Sequence, residues 1–457
     1  MKVLPDAAGG VMKTNRTVKE LLRGIEGSLQ VVILSLAYYF SFRFFYDSKL
    51  FPGYLGRGKY LLIAIYALLV IALFSLNRSF VYGRLKLSHI FISQAIDIAI
   101  VDFVTYLQLS LIADKMITFV PIIYLYIIDL ILCLVLCYVY TSIYHKINMP
   151  RKTLLVYGTE EAHNLEEDIN TQSKRLNVAQ SVSSDLGLEK IIEMIPEYDA
   201  LIINDVEAEL RNDLLKYCYG NGIRTYMVPK ISDILIRGSS DVTMHDTPFL
   251  LSKGQGLSIY SRMLKRLMDI VLCLIALIVS SPILLIIAIA IKLEDHGPVF
   301  YKQERITQDE KPFEIIKFRS MVVDAEKDGI SIPAIDNDPR ITKVGKIIRR
   351  FRVDELPQIF NILKGEMSIV GPRPERTEHV EKYKTEIPEF VFRYKVKGGL
   401  TGYAQVYGKY NTTAYDKLRL DLLYIENYTV LLDIKLIIET VRILFSKEST
   451  EGFANDR

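Results

Sequence analysis

Four membrane-spanning α-helices, a small Rossmann-like α/β domain and a monotopic α/β domain carrying a re-entrant helix are the architecture this sequence predicts. Three observations predict it. Four long apolar stretches come first, strands and helices then alternate from Lys152 to about residue 236, and a fifth apolar run, Ile270 to Ile291, has Ser280-Ser281-Pro282 in its middle. The boundaries that follow are 1–148 for the spans, 149–240 for the α/β domain, 241–262 for a linker and 263–457 for the C-terminal domain.

Composition agrees with this division. Hydrophobic residues make up 50% of the chain while 24% are charged, which fits a protein shared between lipid and water. A net charge of only +3 gives no reason to expect a nucleic-acid partner. Cys133, Cys137, Cys218 and Cys273 have no ligand spacing with a histidine and read as buried free thiols of a reducing compartment. The first apolar run begins late and no small-residue cleavage site follows it, so no signal peptide is expected.

The stretches at 28–46, 59–76, 89–112 and 117–141 are each about 18–25 residues long, enough to cross a hydrocarbon core of about 30 Å. Basic residues set the orientation. Lys13, Arg16, Lys19 and Arg23 precede the first span, Arg78, Arg84 and Lys86 follow the second, and Lys146, Arg151 and Lys152 follow the fourth. The opposite loops hold Lys49, Arg57, Lys59 and Lys115, so the N-terminus and the chain after residue 145 are expected in the cytoplasm. Asp97, Asp102 and Asp129 lie inside spans. An intramembrane carboxylate is a functional candidate by default, but Asp97 and Asp102 have no evident Lys or Arg at their depth. Hydrogen-bonded packing within the bundle therefore competes with a transport or lipid-handling role.

In the α/β region, Thr153–Tyr157, Ala200–Asn204 and Arg224–Val228 read as strands, with a helix over about 207–219. The first turn is Gly158-Thr159-Glu160-Glu161. A dinucleotide phosphate needs three glycines there for close backbone approach, and two glutamates repel it, so a scaffold or dimerisation role fits better than an NAD-linked oxidoreductase.

A polar connector over 237–262 leads to the fifth apolar run. Proline in mid-helix removes a hydrogen bond and kinks the chain. Basic residues flank both ends, Lys265 and Arg266 before and Lys292, Lys302, Arg305, Lys311, Lys317 and Arg319 after, whereas a true span concentrates them on one side. A helix that enters one leaflet, breaks at Ser281-Pro282 and returns accounts for both facts and keeps everything after Ile291 in the cytoplasm.

The last 165 or so residues hold the short motifs that suit chemistry on a phosphate. Phe313–Arg319 alternates as a strand that ends in Lys317 and Arg319. Asp354 and Glu355 are adjacent carboxylates able to hold a hard divalent cation, or to divide the work between attack on phosphorus and orientation of the ion. Arg319, Arg340 and Arg373 supply planar forks for phosphate oxygens, the last in the rigid turn Gly371-Pro372-Arg373-Pro374. Pro357 opens a helix whose free N–H groups face an anion. Taken alone, Asp354 reads as that helix's cap, a common role worth about 1 kcal/mol.

Read together, these blocks resemble the bacterial sugar transferase family, the monotopic phosphoglycosyl transferases, and in layout the long enzymes that initiate capsule and exopolysaccharide synthesis. The resemblance is close from about 262 to 445. It rests on Lys265-Arg266 with Asp269, Ser281-Pro282, Gln303 with Arg305, Lys317–Met321, Asp354–Gln358, Gly371–Pro374, Gly399–Val406, Asp421, Tyr424, Asn427 and Asp433. The resemblance implies that Asp354 attacks the sugar-bearing phosphate of a UDP-sugar, releasing UMP and leaving a covalent phosphosugar, and that Glu355 helps position Mg2+. Undecaprenyl phosphate then accepts the phosphosugar to give undecaprenyl diphosphosugar, the first membrane step of capsule, exopolysaccharide or O-antigen synthesis. It further implies that Lys317 and Gln405 contact substrate, that Arg319, Arg340 and Arg373 are phosphate or structural contacts, that Ser281 and Pro282 form the helix break, and that the site faces the cytoplasm at the bacterial inner membrane. The expected partners are the UDP-sugar, undecaprenyl phosphate, the lipid bilayer and a second copy in a homodimer. Thr307 stands where the family has glycine, Gly399 where it has proline, Tyr403 where it has tryptophan, and Tyr407-Gly408-Lys409 where it has Asn-Gly-Arg. A nucleotide-sugar glycosyltransferase using Asp336-Asn337-Asp338 and a non-catalytic membrane scaffold are the rival readings.

Overall fold

The computed structural model describes residues 7–46, 58–77, 79–82, 87–147, 150–173, 175–254, 256–323, 338–408 and 412–444. Contacts divide the chain into two units, Met1–Val228 and Pro229–Arg457.

The first unit begins with helices α1 (Ala7–Phe45), α2 (Gly58–Leu76), α3 (Leu87–Ile112) and α4 (Val120–Ile147), which cover the four apolar stretches. With Ile259–Asp295 of the second unit, five helices are long and apolar enough to cross a membrane, by length and composition. Their apolar character runs all round, so facing positions alone decide burial. In α2, Leu62, Tyr66, Val70 and Phe74 recur at four-residue spacing and are buried, while Leu61, Leu68 and Ile71 stay exposed. The loop cations Lys49, Arg57, Arg78, Arg84 and Lys86 lie outside the described residues.

The rest of this unit is a parallel sheet in the order β2-β1-β3-β4, where β1 is Arg151–Tyr157, β2 Leu176–Ser183, β3 Ala200–Asn204 and β4 Arg224–Met227. β2 escapes the sequence reading because it is an edge strand whose only buried side chains are Val178 and Val182. A Cβ added to Gly158 would lie 2.1 Å from the Asp205 carbonyl oxygen. This glycine permits two chain turns to touch and leaves no gap there for a pyrophosphate.

The second unit starts earlier than expected. The sequence places residues 229–240 in the α/β domain, whereas helix Ile231–Arg237 buries Ile231 and Ile234 among Leu418, Leu422 and Ile425. Tertiary burial of two isoleucines decides the boundary, and no local pattern marks it. The expected connector also carries structure, an antiparallel hairpin of Ser240–Met244 with Thr247–Leu251.

The fifth apolar run is one helix, Ile259–Asp295, capped by the Ser258 side chain. Helical hydrogen bonding continues through Ser281-Pro282, with the proline inside the helix. Pro282 cannot serve the carbonyl of Ile278, and the Ser281 hydroxyl donates to that oxygen instead at 2.9 Å. Both ends of the helix lean on its own unit. Lys265 donates to Asp433 at 2.6 Å and Tyr424 at 3.0 Å, Asp269 accepts from Ser368 and the Ile369 amide, and Cys273 packs on Phe313, Ile315 and Ile362. Near the other end, Ile287 and Ile291 pack on Phe318 and Ile348, and Glu294 accepts from the Lys343 amide. Ile278, Val279, Ile283, Leu285 and Ile286 between them are exposed.

Candidate active site

The antiparallel pair Phe300–Ile306 and Pro312–Phe318 aims the first cation. Phe313 and Ile315 point into the core, and two residues on along the same face Lys317 emerges from it. Its Nζ donates to Glu355 Oε1 at 2.8 Å. Arg373 Nη2 donates to the same oxygen at 3.1 Å. Burial by itself raises the Glu355 carboxyl, but Arg373 and then Lys317 outweigh it and hold the group well below the usual carboxylate range.

Asp354 is treated differently. It sits with Glu355 in the turn Val353–Glu355, entered through Arg352 at φ 52°, a left-handed conformation that is rare for arginine and costs backbone energy. Burial and then the Glu355 charge raise its carboxyl, against Lys317 and Arg349. It makes no ion pair among the described residues, whereas Glu355 makes two. Helix-capping is excluded as well: helix Gln358–Lys364 starts at Pro357 with no side-chain cap. The pair thus consists of one anchored carboxylate and one left available.

The Arg373 turn is held by its neighbours. Gly371 N donates to Thr401 O at 2.8 Å, and Gly399 N donates to Pro372 O at 2.9 Å. Arg393 Nη2 donates to Arg373 O at 3.0 Å while pairing with Asp421 at 2.7 Å, both side chains 1% exposed. Burial pushes Asp421 up to about 6 even against Arg393. Gln405 lies where a Cβ on Gly402 would be 2.7 Å from its Oε1, and both amide atoms of Gln405 are buried without a partner. A buried amide left unpaired costs free energy, so this one stands out beside the arginine turn.

Of the predicted substrate residues, Lys317 and Arg373 meet at Glu355, and Gln405 borders the turn. Arg319 and Arg340 each pair with another carboxylate. Arg319 binds Asp295 at the end of the long helix, and Arg340 engages Asp338 through Nε and Nη2 at 2.6–3.1 Å. The main cationic influences on Asp354 and Glu355 are Lys317, Arg349 and Arg373. Ser281 and Pro282 lie on the exposed middle of the long helix. Asp336, Asn337 and Lys409 fall outside the described residues.

Arg305 is a site residue that sequence reasoning left as a motif without a role. Its Nη1 donates to Pro374 O at 3.2 Å, its buried Nε has no partner, and burial with the Arg373 charge brings it down to about 10. The Gln303-x-Arg305 spacing on an alternating strand was the available signal. Thr307, the family's glycine position, accepts from Gly398 N at 3.0 Å and donates to Glu366 O at 2.9 Å, so it binds the strand to the loop before the sheet of Gly399–Thr401.

No group of three or more His, Cys, Asp or Glu that could hold a metal occurs among the described residues. The donor set here is the Asp354 carboxylate and Glu355 Oε2, since Oε1 takes two cations. Two hard oxygens of this kind fit Mg2+, which binds through one or two carboxylates and completes its shell with water and substrate oxygens.

Residues 260–447 match the family described as Bacterial sugar transferase. Among relatives, the UDP-N-acetylgalactosamine-undecaprenyl-phosphate N-acetylgalactosaminephosphotransferase of Aeromonas hydrophila is 37% identical, over 55% of this chain and 61% of its own. The UDP-glucose:undecaprenyl-phosphate glucose-1-phosphate transferase of Escherichia coli (strain K12) is 44% identical over 45% of this chain and 44% of its own. The protein of the same name from Caulobacter vibrioides is 38% identical over 40% of this chain and 71% of its own. The chain spans about half the length of the curated relatives it matches, 44–61% for the first three.

Proposed function

The chain belongs to the bacterial sugar transferase family, and on that premise we propose that it transfers a sugar 1-phosphate from a UDP-sugar to undecaprenyl phosphate, releasing UMP. The observation that carries this reading is the asymmetry of the acidic pair, with Glu355 fixed by Lys317 and Arg373 and Asp354 unpaired beside it.

In the first step a carboxylate oxygen of Asp354 attacks the sugar-bearing phosphorus. The bond from that phosphorus to the bridging oxygen breaks, UMP leaves with the electron pair, and an acyl phosphosugar remains on Asp354. Arg373 and Lys317 lie where negative charge gathers on the phosphoryl oxygens, and Arg305 adds a second guanidinium beside the same turn. In the second step a phosphate oxygen of undecaprenyl phosphate attacks the same phosphorus and releases Asp354. Asp354 and Glu355 would hold Mg2+, which when bound neutralises diphosphate charge.

The lipid acceptor calls for a site at a membrane surface. Support for a re-entrant helix comes from Ile259–Asp295 itself, which leans on one unit at both ends and exposes apolar residues between them. With the loop cations it favours a catalytic unit on the cytoplasmic face of the bacterial inner membrane. The named relatives use different sugars, so the sugar is settled by assay. Purified chain with undecaprenyl phosphate, Mg2+ and separate UDP-sugars should release UMP. UDP release instead marks a glycosyltransferase, and no nucleotide release from any sugar rejects the proposal.

A further inference from the structure

Helix Lys343–Arg350 runs straight into the turn that carries Asp354, and only part of its surface is matched by protein. Val344 and Ile348, one turn apart, pack with Ile287 and Ile291 of the long helix. Its first turn is pinned there too: Glu294 accepts from the Lys343 and Val344 amides, and the Thr342 hydroxyl accepts from Gly345 N. The neighbouring stripe, about 60° round the helix, is Ile347 with Phe351, and these are 61% and 64% exposed. Lys343 and Arg350, four residues before and three after Ile347, flank that stripe, and Lys346 lies beyond them. All three cations are exposed, and none makes an ion pair among the described residues.

The acids at the end of the long helix do not answer this charge. Glu294 is taken by the helix's first amides, and Asp295 binds Arg319. A short helix with an exposed apolar stripe bordered by unmatched cations suits the boundary between water and lipid. Two observations select a bilayer over a protein partner as what covers it. The helix docks where the apolar run of Ile259–Asp295 ends: Ile291 is followed at once by Lys292, and Ile286, Ile289 and Leu293 beside the contact are themselves exposed. Such an end lies at head-group depth whether the long helix spans or re-enters. The charge is also of one sign, and the acidic phospholipids of a cytoplasmic leaflet carry the other.

We propose that helix Lys343–Arg350 binds an anionic phospholipid surface, with Ile347 and Phe351 among the acyl chains and Lys343, Lys346 and Arg350 on the lipid phosphates. The turn that follows, with Asp354 and Glu355, is then fixed at the level of the head groups. This contact does not depend on which reaction the acidic pair performs.

The chain contains no tryptophan, so a single introduced indole reports alone. The full chain bearing Ile347→Trp is placed in nanodiscs of phosphatidylcholine and phosphatidylglycerol, with brominated acyl chains on one lipid or the other at equal mole fraction. Ile283→Trp, in the exposed middle of the long helix, marks full lipid contact. Emission from Ile347→Trp should be blue-shifted and quenched by brominated lipid, and brominated phosphatidylglycerol should quench it roughly twofold or more as strongly as brominated phosphatidylcholine. Lys343→Gln, Lys346→Gln and Arg350→Gln together should remove that preference. If Ile347→Trp fails to fold, Phe351→Trp is read in the same way. Emission open to acrylamide but untouched by brominated lipid overturns the proposal, and so does protection from both quenchers, which marks a covering protein. Equal quenching by the two lipids, or a preference that survives the three substitutions, overturns it as well.

Discussion

Replacing Glu355 by Gln keeps the side chain's shape and its Oε1 acceptor but deletes the charge that Lys317 and Arg373 share. Hydrogen bonds to a charged group contribute about 1.5–3 kcal/mol and neutral ones about 0.5–1.5, so two weakened bonds cost roughly 2–3 kcal/mol of organisation at the site. At about 1.4 kcal/mol per decade, kcat/KM for UMP release should fall roughly 30- to 200-fold. A second effect follows from Asp354. Its carboxyl is raised first by burial and then by the Glu355 charge. Removing that charge lowers it, and Lys317 and Arg373, deprived of their counter-ion, pull it down further. Because Asp354 attacks as the anion, the acid limb of the pH–rate profile should move to lower pH in Glu355→Gln. The assay is UMP release at saturating undecaprenyl phosphate across about pH 5–8. A rate within threefold of the parent, or an acid limb displaced upward, refutes the assignment of one anchored and one available carboxylate.

Four other outcomes are expected. Asp354→Asn should abolish UMP release while leaving the unfolding temperature within a degree or two, because Asp354 caps no helix and makes no ion pair among the described residues; a large loss of stability would return it to a structural role. Arg393→Met should destabilise by roughly 3–5 kcal/mol, since it strands the buried Asp421 carboxylate, and Asp421→Asn added to it should restore much of the loss; a double-mutant cycle by thermal unfolding with coupling under about 0.5 kcal/mol rejects the pair as the support of the Arg373 turn. Asp421 also fixes a sign: its folded-state value, about 6, lies above the unfolded value near 3.8, so the folded chain binds more protons between the two, and this group's contribution to stability falls as pH rises through that window and is level above it. Melting of Asp421→Asn between about pH 4 and 6 should lack that component. Finally, single cysteines placed at Ser258 and His296, the two ends of the long helix, should both react with a membrane-impermeant reagent only from the cytoplasmic side; labelling from opposite sides refutes re-entry.

Much of the site could be read along the chain because it depends on residues close in sequence. The Asp354-Glu355 dyad, the arginine-bearing proline turn and the strand ending at Lys317 each announce themselves locally. Composition alone does not tell the arginines' partners apart. Arg319 and Arg340 have the same chemistry as Arg373, yet one binds Asp295 and the other Asp338. Arg305 went the other way, a strand arginine of no obvious distinction that packs beside the turn.

The sequence by itself determined the apolar helices, the parallel α/β pattern and the acidic pair, because length, hydrophobic runs and adjacent carboxylates are properties of neighbouring residues. Only the tertiary structure decided which carboxylate is anchored and that helix Ile231–Arg237 joins the second unit. It also decided that Asp97 accepts from Asn77 and Ser79 and that Asp129 accepts from Tyr66. Each of these depends on partners distant in sequence, and a side chain's charge and hydrogen-bonding state belong to the groups packed around it.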